Sequence, residues 1–230
     1  MRAKRLTFGD KVLKFHKTIA LPRTYSRRIK IIYPHGNAGV LRHTKKFLNK
    51  FFQDKKKRTF VFGINPGRFG SGVTGIPFTD PVALQDFCGI PNILEKRREL
   101  SSQFIYQFIE LWGGAYVFYK QFFLTAVSPI GFIRDGTNYN YYDDPKLFSA
   151  LRPFIISSMK TQLAFGARRD VAIVLGTGKN QKLFNKLNQQ YGFFQKVYAV
   201  EHPRFIMQYQ REHVLKYLEK YQRVFAKALS

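Results

Sequence analysis

Residues 61–78 read VFGINPGRFGSGVTGIPF. The apolar run Thr59-Phe60-Val61-Phe62 is too short for a helix. It has the continuous hydrophobicity of a strand buried on both faces. It breaks into Asn65-Pro66-Gly67, after which the chain is dominated by residues of restricted or permissive backbone. Five glycines and two prolines fall between Gly63 and Pro77, and the stretch closes on Phe78. Glycine lets a main chain approach another group closely, and proline stiffens the loop beforehand. The stretch is therefore a strand Thr59–Ile64 feeding a rigid loop, with an amide at its mouth and an aromatic ring at its end.

Three further apolar runs of similar length follow, Gln121–Val127, Val171–Leu175 and Lys196–Val200. Helical spacing fills the intervals. Phe104–Tyr119 carries apolar residues on one side, with Gly113-Gly114 as a potential break. Lys146–Phe165 begins after Pro145, Asn180–Tyr191 stops at Gly192, and Glu212–Leu229 closes the chain. Strand-helix alternation predicts a three-layer α/β/α sandwich around a central four-stranded parallel sheet. One domain, 1–230, is expected. A basic helical region, 1–57, precedes a core, 58–230, and Phe8, Val12, Leu13 and Phe15 of its first helix pack inward.

The chain has 230 residues, 39 Lys+Arg against 14 Asp+Glu, and a formal net charge of +25. With aromatics at 17%, this is a folded basic protein whose expected partner is a polyanion. Nucleic acid leads, with an anionic membrane surface as the rival. No apolar run approaches the roughly 18 residues of a membrane span. Cys88 is the single cysteine, which excludes an internal disulfide and a cysteine-rich zinc site and suits a reducing compartment.

In open parallel sheets, ligands bind beyond the carboxyl ends of the strands. Here those ends are Asn65-Pro66-Gly67, Ser128-Pro129, Gly176-Thr177-Gly178-Lys179 and Glu201-His202-Pro203-Arg204. Nucleotide motifs fail at the third of them. A phosphate loop needs Gly at 173 and Ser or Thr at 180, where Ile173 and Asn180 stand, and the dinucleotide fingerprint needs Gly where Gln181 stands. A turn opening a helix, able to hold a backbone phosphate, remains. No zinc-protease pattern, Cys/His cluster or nucleophile elbow occurs, so neither metal nor cofactor is expected.

The pattern Gly63-x-Asn65-Pro66-Gly67-x-Phe69-Gly70, followed by Thr74-Gly75-x-Pro77-Phe78, resembles the first signature of the single-strand-selective monofunctional uracil-DNA glycosylases, within the uracil-DNA glycosylase superfamily. His202-Pro203-Arg204 is similar to the second signature. The likeness spans roughly residues 59–210 and points to the bacterial second subgroup. It implies a monofunctional enzyme of base excision repair, monomeric, working on DNA in a bacterial cytoplasm and held at the nucleoid through that DNA. A base flipped from the stack would stack on Phe78, worth roughly 1–3 kcal/mol. Gly63, Ile64, Gly67, Phe69 and Ala126 would complete its pocket. Asn65 would orient the attacking water, and His202 would hydrogen-bond the carbonyl of the departing anionic base. No lysine nucleophile is needed, so the chemistry would be hydrolysis without strand cleavage. Ser128, Gly176, Gly178 and Lys179 would meet the DNA backbone. Arg204–Gln210 would form an intercalating loop, with Phe205, Ile206 or Met207 as an apolar wedge and Arg204 among the DNA-binding residues.

The chain departs from the family pattern at Ala126, where members carry an asparagine that reads the base edge. A methyl group offers no hydrogen bond. Base reading would then pass to backbone groups, or to Asn138 or Asn140. Gly67 stands where stricter members block the space beside uracil C5. Together the two small residues imply a tolerant pocket, open to 5-substituted uracil, hypoxanthine and xanthine. The competing reading is a non-catalytic nucleic-acid-binding module with a degenerate pocket.

Overall fold

The computed structural model describes residues 5–230, so the first four residues of the basic N-terminal region lie outside the described residues. The chain runs through α1 (Phe8–Thr18), β1 (Ile29–Ile32), a 3-10 turn (Pro34–Gly36), α2 (Ala38–Phe51) and β2 (Arg58–Gly63). Short helices α3 (Ser71–Thr74) and α4 (Pro81–Asp86) lead to α5 (Leu100–Leu111) and α6 (Gly114–Gln121). Then come β3 (Phe122–Ala126), β4 (Gly131–Arg134), β5 (Thr137–Tyr139), α7 (Pro145–Leu163), β6 (Ala167–Leu175) and α8 (Lys179–Tyr191). The chain ends through β7 (Lys196–Val200), α9 (Pro203–Tyr209), a second 3-10 turn (Arg211–His213) and α10 (Val214–Lys227).

The main sheet is parallel, in the order β3-β2-β6-β7, and helices flank it. All six residues of β2 are buried, as its unbroken apolar run requires. Phe60 pairs with Phe123 on one side and Ala172 on the other, and Gly63 lies opposite Ala126. The segment expected as one helix over Phe104–Tyr119 is two, because Gly113 and Gly114 take φ values of 103° and 85° that only glycine adopts readily. Helix α8 stops where foreseen, with Gly192 left-handed and its N–H bonded to Asn188 O.

A second, three-stranded antiparallel sheet was not anticipated. Its order is β1-β4-β5, so the N-terminal region contributes a strand to it, with Ile29 opposite Arg134 and Ile32 opposite Gly131. A Cβ on Gly131 would stand 2.1 Å from Pro66 O, so this sheet presses directly on the loop after β2. Arg204–Gln210, expected as an intercalating loop, are instead helical, within α9 and its C-cap Gln210. Pro203 takes the first helical turn, where a missing N–H costs nothing, and His202 caps it.

The N-terminal region is joined to the core through Arg58, which is fully buried. Its guanidinium donates to both carboxylate oxygens of Asp54 at 2.9 Å and to Tyr119 O at 2.7 Å. Its faces lie 4.7 and 4.8 Å from the rings of Phe8 and Phe52. Every polar atom of that arginine is thus directed, which is the condition for burying a charge.

Candidate active site

Three of the four strand ends, those of β2, β3 and β7, meet around a cavity of about 590 Å³. Gly63, Ile64, Asn65, Gly67, Phe69, Phe78, Ala126, His202 and Arg204 all line it. Asn65 follows β2 and its amide is held on both sides. Its Oδ1 accepts from the Tyr141 N–H at 3.1 Å, and its Nδ2 donates to Tyr139 O at 3.3 Å. The side chain is therefore oriented before any ligand arrives.

His202 follows β7. Its Nδ1 accepts from the Arg204 N–H at 3.2 Å as the cap of α9. Burial pushes its pKa down to about 4, and the Arg204 charge adds to the shift. A neutral imidazole with Nδ1 used as acceptor carries its proton on Nε2. His202 is thus fixed as a one-proton donor. Gly176 packs behind it. At φ 110°, a Cβ there would come 3.8 Å from the His202 Cβ.

Phe78 ends the motif in the left-handed region, φ 55°, an unfavourable conformation for an aromatic residue. Its ring lies against Gly63, where an added Cβ would stand 2.6 Å from Cζ, and its centroid is 5.8 Å from that of His202. The glycine at 63 is required for the ring to reach this wall. Phe69 sits at the rim between two cations, with the Arg97 guanidinium 3.7 Å and that of Arg68 4.9 Å from its ring centre.

The loop after β2 is tied to the β4–β5 hairpin. Arg68 N donates to Asn138 Oδ1 at 3.1 Å, and the Arg68 guanidinium donates to Gly136 O. Asn138 Nδ2 makes no hydrogen bond to a described residue, and it lies 3.4 Å from the position of a Cβ on Gly67. Asn140, the other candidate reader, is engaged with Asp143 through both its N–H and its side chain. The main-chain carbonyls at the neighbouring strand ends are occupied as well. Gly63 O accepts from Val127 N, Ile64 O from Ser128 N, and Ala126 O from the side chain of Gln162. Asn138 Nδ2 is thus an amide donor without a partner among the described residues, beside Gly67 in the cavity wall.

Several expected DNA contacts are placed differently. Ser128 is fully buried and its hydroxyl donates to Ile130 O, so that side chain closes a turn and does not reach the surface. Met207 is 5% exposed and packs inward with Ile206, because helical spacing turns both to the core. Phe205 and Tyr209 occupy the outer face of α9, 43% and 65% exposed, with ring centroids 5.8 Å apart. Tyr209 also lines the cavity and was not foreseen. Gly178 and Lys179 are exposed at the start of α8, outside the cavity wall.

Among the described residues, no group of three or more His, Cys, Asp or Glu side chains could hold a metal. Cys88 is buried beside Tyr106 and its pKa is pushed up to about 12 by that burial, so it is a thiol. No described helix is long and apolar enough to cross a membrane.

The family model described as the uracil DNA glycosylase superfamily matches residues 49–227. The crystal structure of wild-type SMUG2 from Pedobacter heparinus is similar over 97% of this chain and 98% of that one. The two share 43% sequence identity and superpose with a TM-score of 0.93. No curated protein matches the chain.

Proposed function

The chain belongs to the uracil-DNA glycosylase superfamily and is a DNA glycosylase, a hydrolase acting on N-glycosyl bonds; from that premise we propose that Asn65 and His202 carry out the excision. The reading rests chiefly on these two side chains, which line one cavity and are both oriented by main-chain hydrogen bonds. A base turned out of the stack enters between Phe78 and the loop 64–69. Asn65 holds a water against the sugar C1′. An amide is a weak base, so its contribution is position, and fixing two reactants in line removes much of the entropic barrier. The glycosidic electron pair leaves with the base, and the Nε2–H of His202 donates to the oxygen on which that charge collects. A neutral donor suits this task, because its proton is committed by geometry and no titration near neutral pH is involved.

No lysine lines the cavity among the described residues, which supports hydrolysis without strand cleavage. Uracil is the first substrate. With a methyl at Ala126 and no side chain at Gly67, Asn138 Nδ2 takes over reading a carbonyl. The pocket then admits 5-substituted uracil, hypoxanthine and xanthine. Cytosine and adenine are refused, since their amino groups would meet a donor and leave it unpaired. The enzyme works as a monomer on DNA in the cytoplasm, and counterion release makes its binding fall steeply with salt.

The test is excision from a uracil-containing single strand followed by hot alkali. Asn65→Ala and His202→Ala should each slow single-turnover excision a hundredfold or more, about 3 kcal/mol of barrier, while DNA affinity holds. No cleavage by wild type would favour a binding module with an inactive pocket. Variants within a few-fold of wild type would remove both residues from the mechanism.

A further inference from the structure

Residues 92–99 form a strap without helix or strand that is fastened beside the loop carrying Phe69 and Phe78. Asn92 Nδ2 donates to Pro81 O at 3.0 Å, and Asn92 Oδ1 accepts from Leu94 N at 3.3 Å. At the far end Glu99 N donates to Asp80 Oδ2 at 2.8 Å. Both ends are therefore tied to the residues that follow Phe78. Between them Lys96, Arg97 and Arg98 are exposed. The Arg97 guanidinium lies 3.7 Å from the centre of the Phe69 ring, and Phe69 and Glu99 line the cavity. The strap thus starts at the cavity rim.

Helix α2 extends the same band. Arg42 and Lys46 are exposed one helical turn apart, a spacing at which like charges repel. His43 lies half-buried beside them. Its pKa is lowered first by burial and then by the charges of Lys46, Arg42 and Lys96, so helix and strap bring three cations around one imidazole. None of Arg42, Lys46, Lys96, Arg97 and Arg98 forms an ion pair with a described residue. Glu95 is the one acidic side chain exposed in the strap, so the band is positive overall. A row of unpaired cations that begins at the cavity rim fits a chain of phosphates leaving that cavity. Arg97 adds a plane, since one face of its guanidinium covers Phe69 and the exposed side is free to stack on a base.

We infer that the strap 92–99 and α2 carry the single strand that continues from the flipped nucleotide, with Arg97 stacked on the neighbouring base and Lys96, Arg42 and Lys46 on the phosphates beyond it. This rests on the reading that the cavity takes the flipped base, which sets where the strand emerges. The track is separate from the outer face of α9, whose aromatic rings meet the opened stack of a duplex.

Strand length tests the track. Single strands of three and of fifteen nucleotides, each with a central 2′-fluorinated deoxyuridine that resists hydrolysis, are titrated by fluorescence anisotropy. The triple variant Arg42→Gln, Lys46→Gln, Lys96→Gln should bind the longer strand at least tenfold more weakly and the trinucleotide within about twofold of wild type. Its salt slope on the longer strand should fall by about 2, because each phosphate contact on a single strand contributes roughly 0.7. Arg97→Lys keeps the charge and loses the plane, so it should weaken the trinucleotide several-fold. Removing the same charge from α10 with Lys216→Gln, Arg223→Gln and Lys227→Gln should cost the longer strand no more than about threefold. An equal loss in the α10 variant, or a loss in the first variant that is the same at both lengths, would overturn the track. Wild-type affinity of Arg97→Lys for the trinucleotide would remove the stack. A trinucleotide that wild type binds no better with the uracil analogue than with cytosine defeats the functional reading instead, and the two charge variants on the longer strand still judge the band.

Discussion

The N–H of Tyr141 donates to Oδ1 of Asn65 at 3.1 Å, and the Tyr141 hydroxyl donates to Oδ1 of Asn180 at 2.9 Å. Asn180 in turn donates through Nδ2 to Leu175 O at 3.0 Å. Both Tyr141 and Asn180 are fully or nearly fully buried. A single buried chain of hydrogen bonds therefore fixes the amide at the end of β2 relative to the end of β6. Tyr141→Phe removes one hydroxyl and orphans the Asn180 oxygen. Excision should slow by roughly three- to tenfold, the range of one lost hydrogen bond, with DNA affinity unchanged. In the Asn65→Ala background the same change should cost nothing further. An additive loss in the double variant would show that Tyr141 acts through some other residue.

Gly63 and Phe78 allow a sharper test of the pocket wall. A methyl at 63 would meet Cζ and Cε2 of the ring at 2.6 and 2.8 Å. Gly63→Ala must push the ring toward the base space. Excision should drop tenfold or more, about 1.4 kcal/mol, and the fold should lose about 1–3 kcal/mol from overpacking. Single-turnover rates and urea titrations measure the two quantities. Wild-type rates from a folded Gly63→Ala protein would mean that the base does not rest on Phe78.

On α9 the exposed and buried faces predict different outcomes. Phe205→Ala and Tyr209→Ala should weaken excision from duplex DNA by about tenfold and leave single-strand excision nearly intact, because only the duplex needs an apolar surface to hold open the stack. Met207→Ala should instead cost about 2–5 kcal/mol of stability with no preference between substrates. A duplex-selective defect in Met207→Ala would return the wedge role to that residue.

Histidine burial sets an acid limit. His35 and His202 are held near 4 and His16 well below the usual imidazole range, whereas the unfolded chain binds protons from about 6.5. Between those values the unfolded state carries protons that the folded state refuses. Stability is therefore complete above pH 6.5 and declines as pH falls toward 4. His35 alone accounts for a loss on the order of 3 kcal/mol across that window. Urea unfolding at pH 7, 5.5 and 4.5 should show the decline, and His35→Phe should flatten it. A midpoint independent of pH over this range would contradict the burial of these rings.

The parallel sheet was legible because its strands read as short apolar runs, with β2, β3 and residues 171–175 of β6 almost wholly buried and only the edge strand β7 partly exposed. The loop 63–78 was legible because Gly63, Gly75 and Phe78 occupy positions that few other residues satisfy. The antiparallel sheet was not, since Gly131–Arg134 and Thr137–Tyr139 are short, half-exposed and mixed in polarity, leaving no period to detect. Pro203 read as part of a turn because proline opens helices as readily as it forms bends, and with the helix missed, Met207 was placed on the wrong side. In the sequence Asn138 stood level with Asn140 and the main-chain groups as a candidate reader of the base edge. What separates it from Asn140 is the bond from Arg68 N, a contact between residues seventy positions apart. Isolated histidines such as His16 and His35 carry no signal until the fold stacks them.

The pairing of β1 with β4 has a consequence for the chain during its synthesis. β1 must wait for Gly131–Arg134 before it has a neighbour, and the hairpin that clamps Asn65 comes only with residues 137–141. His202 is made later still, and its turn is fastened by Lys220 and Tyr221 of α10, which bond Glu201. A nascent chain on the ribosome carries Asn65 and its rigid loop long before it carries His202. Non-local closure of this kind is slow and comes after local structure. Asn65 and His202 therefore come to share one cavity only after the chain has been made as far as α10.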